Sequence, residues 1–326
     1  MNIYLNGVLT DNEIIYMRQP PSYPYSNTSG HVLHLCRTIY GLKQSGCQWY
    51  QKFTAICKET MGLTHCNVDQ AIFYRRDVES LVVMAVHIDN CIIAAKPASV
   101  VDDLKRKFVD HVEITNSGKL HWLLGIEIEH NRDTHVIRLT QCQYIQDIIH
   151  HYRCHNECPL SLPMGTNVRL SSDQRPKTTK EIVAMQNIPY CQAVGSLMYA
   201  SLGTQPDITF AVTRLSKFLQ NPGPAHWEAV HNILHYLKGT QDHWLVFGKH
   251  EGILSGWVDA DGSQEEDRHT ITKYTFLIDG EAVLWNLKQQ ELIVLSMTEG
   301  EYVATTQATK DSRHCGYDLS LTKSLV

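Results

Sequence analysis

The clearest pattern in the chain lies between Leu81 and Ala95, LVVMAVHIDNCIIAA, where two apolar runs rich in β-branched residues flank the short break His87-Ile88-Asp89-Asn90. Runs of this kind bounded by turn residues predict a buried β-hairpin. Asp and Asn favour turns for backbone reasons alone, so the stretch fits a structural turn as well as a hairpin that presents a carboxylate at its bend. Upstream, Glu13 to Pro21 reads as a short strand stopped by a double proline, followed by a turn-rich loop from Ser22 to Gly30. From Ser45 onward Trp49, Phe53 and Ile56 recur at helical spacing, with Ser45 as the expected cap and Gly41 as the break before it. That helix explains Trp49 and Phe53 but leaves Lys43-Gln44, just ahead of it, without a structural reason.

Pro97-Ala98-Ser99 marks the start of a helix through Leu104 to Phe108, and Leu120 to His130 reads as a strand pair with Gly125 at its centre. Leu160 to Lys180, rich in Pro, Ser, Thr and charge, is expected to be a surface linker. Tyr190 to Phe218 and Ala225 to Lys238 carry apolar residues at helical spacing, separated by Asn221-Pro222-Gly223-Pro224. Gly256 to Trp285 alternates as strands do, and Ser296 to Thr309 returns to helical spacing.

A chain of 326 residues is long enough for two or three cores. Its 43% hydrophobic and 19% charged residues are those of an ordinary globular protein. No apolar run approaches the ~20 residues needed to span a bilayer, and the first residues lack a basic-then-apolar signal, so an intracellular protein, cytoplasmic or nuclear, with no membrane partner is expected. The net charge of −5 argues weakly against a nucleic-acid binder but leaves room for a local basic channel. The 10 cysteines are scattered, and most, such as Cys91 in the hairpin and Cys57 in the helical pattern, are expected to be buried free thiols. His150 to Cys158, HHYRCHNEC, offers soft metal ligands at close range. A zinc site usually draws on two separated pairs, and no second pair is evident, so this stretch reads as a helix end and its loop.

Motif order adds what composition does not. YLNG, IYMRQPP, LCRTIYGLKQSGCQWYQKF, the hairpin around HIDN, LHWLLGIEI and LTQCQYIQDII follow one another as in the reverse transcriptase of copia-type retrotransposon polyproteins, which this chain resembles. The stretch from PYCQAVGSLMYASLG to LHYLKGTQDHWL resembles the segment that follows the polymerase in that family, and WVDADGSQEEDRH to MTEGEYVATTQAT resembles the front of its ribonuclease H domain. The resemblance implies an α+β fold: reverse-transcriptase fingers and palm over residues 1–150, a helical thumb and connection over 151–250, and a partial ribonuclease H-like α/β domain over 251–326.

It also implies chemistry. Nucleotidyl transfer uses two divalent ions about 4 Å apart, Mg2+ or Mn2+, held by aspartates from neighbouring strands. In the family one aspartate precedes the LNG motif and two adjacent ones form a YVDD hairpin. Here Asp89 takes the place of the first of that pair, Asn90 the second and His87 the tyrosine, and the sequence begins inside the earlier motif. Asp259 and Glu299 match the first two ribonuclease H acids, with Asp261 beside them and Gly262 where the family has Trp; Asp311 and Asp318 lie too close to Glu299 to supply the rest. Arg18, Arg37, Lys43 and Gln44 are the implied contacts to template and incoming nucleotide, and Trp122 and Gly125 fall in the hairpin that grips the primer. The implied partners are an RNA or DNA template-primer and dNTP, and the expectation is of an inherited RNA-directed DNA polymerase with little or no activity. Two alternatives stay open, a non-catalytic nucleic-acid-binding module and a relic that folds incompletely; oligomeric state is left open.

Overall fold

The structure, a computed structural model, describes residues 5, 7–9, 13–20, 31–88, 90–165, 167–248, 254–261, 269–278 and 280–314. Internal contacts divide the chain into two compact units, Met1–Lys119 and Leu120–Val326.

In the first unit β1 (Tyr16–Arg18) and β2 (Val32–His34) form an antiparallel ribbon with Arg18 opposite Val32. The helix expected from Ser45 is present as α1 (Ser45–Ala55), and it runs on into a π-helical turn, Ile56–Thr60. A four-stranded antiparallel meander follows in chain order, β3 (Thr64–His65), β4 (Ile72–Arg76), β5 (Leu81–His87) and β6 (Asn90–Lys96), and α2 (Ser99–Val109) returns across it. The core lies between α1, α2 and one face of this sheet. Phe53 is its hub, with ring centroids 5.5 Å from Phe73, 5.6 Å from Phe108 and 5.6 Å from Trp49.

The hairpin is in register from Leu81 opposite Lys96 to His87 opposite Asn90, so only two residues separate its strands. It is buried on one face only: Val82 and Met84 are inaccessible, whereas Leu81 is 46% and Val83 39% exposed. A continuous apolar run suggests burial on both faces, but α1 and α2 cover one face of the pleat, and successive side chains point to opposite sides. Cys91, opposite Val86, is on the covered face but near the bend end of the hairpin, and it is exposed, contrary to expectation, as are Cys36, Cys47, Cys158 and Cys191; Cys57 and Cys154 are buried. Burial pushes the Cys57 thiol up to about 12, with Cys91 adding to the shift, so it is inert at neutral pH.

The second unit opens with β7 (Trp122–Leu123), β8 (Ile126–Asn131) and β9 (Val136–Thr140), and a later strand, β10 (Leu245–Phe247), pairs with β9 to complete the sheet order β10-β9-β8-β7. Between β9 and β10 run five helices, α3 (Cys142–His151), α4 (Thr179–Gln186), α5 (Tyr190–Gly203), α6 (Thr209–Ser216) and α7 (Pro224–Thr240). Their core is aliphatic, with Ile145, Leu197, Leu215, Ile233 and Leu234 fully enclosed. The pattern over Tyr190 to Phe218 reads as continuous, yet the chain breaks after Gly203 and restarts through a 3-10 turn at Pro206–Ile208. Proline disfavours the helical conformation at Gln205 before it, which accounts for the break. The expected stop at Asn221 to Pro224 is present: α7 begins on Pro224, and Gly223 passes so close to Gln174 that a Cβ there would lie 1.8 Å from its carbonyl oxygen.

The last part of this unit is an antiparallel sheet, β11 (Leu254–Asp261), β12 (Ile271–Ile278) and β13 (Glu281–Gln289), backed by α8 (Met297–His314). Tyr274, Phe276 and Ala308 form the contact between sheet and helix. Among the described residues no helix is long and apolar enough to cross a membrane.

Candidate functional site

The hairpin bend is built from a strained turn. Ile88 takes φ 49° and is 58% exposed. A β-branched side chain in the left-handed region costs free energy that a structural turn would avoid with Gly or Asn. Asn90, the first residue of β6, is exposed opposite His87 at the end of β5. Asp89 lies outside the described residues. The strands β3 to β6 read TH, IFYRR, LVVMAVH and NCIIAAK, so none of them carries an Asp or Glu.

The basic residues of the same unit sit on tied loops. Arg18 closes β1, and Arg37 bridges to Val8 beside Thr38, whose N–H donates to the Gly7 carbonyl at 3.1 Å. From there a turn through Gly41, at φ 95°, leads into α1. Ser45 is not the cap of α1: its buried hydroxyl donates back to the Ile39 carbonyl at 2.6 Å, and the cap position is held by Gln44 without a side-chain bond. Ser45 thereby latches the turn and places exposed Lys43 and Gln44 at the helix N-terminus, where uncapped N–H groups favour an anion. Arg18 and Arg37 are exposed too, and these residues make no ion pair among the described residues.

In the second unit Leu124 and Gly125, at φ 49° and 71°, form a two-residue turn between β7 and β8. Two consecutive left-handed residues define the turn type whose twist suits a tight hairpin. The Tyr199 hydroxyl donates to the Leu124 carbonyl, and a Cβ on Gly125 would lie 3.3 Å from that hydroxyl oxygen. Tyr199 thus holds the turn and was not legible as part of it, since it comes 75 residues later. Trp122 is 49% exposed on β7, flanked by Leu120 and Leu124 at 41% each.

Asp259 and Asp261 project from the same face of β11 and share one partner. The Lys273 ammonium donates to Asp261 at 3.0 Å and to Asp259 at 3.4 Å. Burial pulls Lys273 down, but the two carboxylates together push it above its ordinary value, so it stays charged at neutral pH. Sequence reasoning missed this lysine because its position directly across from Asp259 depends on the register of β11 with β12. It also missed Glu301. The Glu299 carboxylate accepts from the Leu295 N–H at 2.8 Å at the start of α8, while Glu301 is the α8 acid that reaches β11, accepting from the Ala260 N–H at 3.3 Å. Asp311 accepts from the Tyr274 hydroxyl and from Gln307. Gly262 and Asp318 lie outside the described residues. A groove of about 580 Å³ runs beside the acidic pair, between the start of α6 and the sheet, lined by Phe210, Trp257, Asp259, Lys273 and Trp285.

Removing the lysine charge should expose a latent cation site. Lys273→Ala is expected to raise Mn2+ affinity at Asp259 and Asp261 by about tenfold, the effect of one unit charge at this range in a solvated setting. Titration followed by electron paramagnetic resonance reads this directly, and unchanged affinity counts against the lysine as the blocking group.

Comparison with known proteins places the chain in a family. Residues 1–166 match the family described as "Reverse transcriptase (RNA-dependent DNA polymerase)". The chain is 36% identical over 94% of its length to the "Retrovirus-related Pol polyprotein from transposon TNT 1-94" of Nicotiana tabacum, of which it covers 23%. It is 30% identical, over 94% of its length, to the "Retrovirus-related Pol polyprotein from transposon RE1" of Arabidopsis thaliana, covering 20% of it. A transposon Ty5-1 protein of Saccharomyces cerevisiae is 25% identical over 94% of this chain and 98% of its own length. The chain therefore spans about a quarter or less of the two plant polyproteins. No solved structure matches it. With half the chain inside the polymerase family and nearly all of it aligned to transposon polyproteins, the chain belongs to the reverse transcriptase family of copia-type retrotransposon Pol polyproteins.

Proposed function

We propose that this chain is a nucleic-acid-binding segment of a copia-type reverse transcriptase whose polymerase centre does not add nucleotides. On this reading residues 1–150 are fingers and palm, 151–250 thumb and connection, and 251–326 a ribonuclease H-like domain. The Leu124-Gly125 hairpin, with exposed Trp122 beside it, takes the primer-gripping role.

The observation that carries the loss of catalysis is the composition of the hairpin sheet. Reverse transcriptases use divalent metals, and such ions need carboxylates from more than one strand. The described strands β3 to β6 supply none, Asp89 at the bend is the one acid between Leu81 and Lys96, and Asn90 beside it offers an amide oxygen, which brings no charge to offset a metal. At the second acidic site the Lys273 ammonium already stands against Asp259 and Asp261. The described donors therefore do not fit a Mg2+ pair at either place.

Binding is supported by charge distribution. From His31 to Lys58 the chain holds four Lys and Arg residues and no Asp or Glu, against a net charge of −5 for the whole. Exposed Arg37 and Lys43 within that run, with Arg18 on the adjoining ribbon, suit phosphate contacts that position a duplex without reading its sequence. A fluorescence-anisotropy titration with a labelled RNA/DNA hybrid tests this. Saturable binding that weakens linearly in log affinity against log salt is expected, and no binding at low salt overturns the reading.

A further inference from the structure

Cys154 closes the turn after α3 and lies beside two histidines that stand one helical turn apart on α7. Its Sγ is 3.4 Å from the Nδ1 of His231. Cys154, His231 and His235 each present one ligand atom, and these atoms all lie within 4.8 Å of one another. Tetrahedral zinc with Zn–S about 2.3 Å and Zn–N about 2.0–2.1 Å sets its ligand atoms roughly 3.3–3.6 Å apart. Small rotamer adjustments would close this triangle on one ion.

We propose that Cys154, His231 and His235 form a zinc site that ties the end of α3 to α7, with water or the Glu157 carboxylate in the fourth position. The Cys- and His-rich stretch at 150–158 does have a second ligand pair, beginning 77 residues on from Cys154, and its signal in the sequence is the i, i+4 spacing of His231 and His235 in HNILH. A thiolate and two imidazoles are the donor set of zinc rather than of magnesium.

Four observations support a metal-binding role for this cluster. A Cys154–His231 hydrogen bond engages one histidine and leaves the buried Nε2 of His235 without a hydrogen-bond partner among the described residues. Cys154 is 1% exposed, so its sulfur is shielded from solvent. Trp227 packs edge-on against His231 at 4.8 Å between ring centroids and fixes its plane. The loop carrying Glu157 is clamped to α7 by Lys238, whose ammonium donates to the carbonyls of His155 and Glu157 at 2.7 Å each. Binding would displace the Cys154 thiol proton to solvent as the Zn–S bond forms. The site owes nothing to the polymerase reading and stands whether or not the chain binds nucleic acid.

The test is a Co2+ titration of the chelator-stripped 326-residue protein, followed by visible absorption and then displaced with Zn2+. One equivalent of cobalt should give the intense ligand-field bands of tetrahedral coordination with a thiolate charge-transfer band, and zinc should abolish both and raise the melting temperature. His231→Gln and His235→Gln should each weaken cobalt binding by at least the ~10–100-fold seen when a residue that merely orients a metal ligand is removed. A His150→Gln/His155→Gln double variant should bind as the parent does. An octahedral spectrum without thiolate character in the parent protein, or tetrahedral bands unchanged in both α7 variants, overturns the proposal. The parent arm decides even if a variant fails to fold.

Discussion

Phe53→Ala is expected to lower the stability of the first unit by about 3–5 kcal/mol, the usual cost of removing a buried aromatic ring. Phe53 is 2% exposed and touches the rings of Trp49, Phe73 and Phe108, so it joins α1 to β4 and α2 at once. A denaturant titration read by tryptophan fluorescence should show the transition of Trp49 moving to lower denaturant. Lys58→Ala, on the exposed side of the following turn, should shift it by less than about 0.5 kcal/mol. Equal shifts for the two variants would remove Phe53 from the centre of the core.

The functional counterpart is a charge reversal on the basic face. Arg18→Glu, Arg37→Glu and Lys43→Glu together should cut hybrid affinity by at least about a hundredfold, since each exposed contact to a phosphate is worth roughly 1 kcal/mol in water and the introduced carboxylates repel the backbone as well. The slope of log affinity against log salt should flatten by about 2.7, close to 0.9 for each phosphate that is no longer neutralised. All three side chains are exposed and lie outside the core, so the fold should survive and circular dichroism should be unchanged. Reversal with affinity intact would place the binding surface elsewhere.

How much of this was legible in the sequence depends on the range of each interaction. The hairpin of β5 and β6, the helices α1 and α7 and the strands β11 to β13 follow from local periodicity, and each lies where the pattern put it. What periodicity could not supply is pairing between elements. Lys273 meets Asp259 only because β12 lies against β11 in one register, and a shift of one residue would turn it to the other face. Glu301 rather than Glu299 reaches β11 because helical phase, not motif position, decides which acid of α8 faces the sheet. Cys154 finds His231 through the packing of α3 on α7, which no local window contains. Exposure was misjudged at Cys91 for a related reason: an apolar run reports what a strand could bury, whereas the elements available to cover it decide what it does bury.

The candidate site divides in the same way. The family resemblance located Asn90, Asp259 and the Lys43-Gln44 turn by motif, while the finding that no strand of the hairpin sheet carries a carboxylate required knowing which strands form that sheet. Ile88 adds a detail that composition conceals, a β-branched residue holding φ 49° at the tip of the hairpin.

Primer extension on an RNA template with a DNA primer and dNTP, run with Mg2+ and again with Mn2+, tests the central claim most directly. The 326-residue chain should yield no template-dependent product with either ion, and Asn90→Asp should yield none as well, because a restored carboxylate beside Asp89 still finds no acid on the described strands β3 to β6. Template-dependent extension by the chain itself, or robust extension by Asn90→Asp alone, would contradict the account.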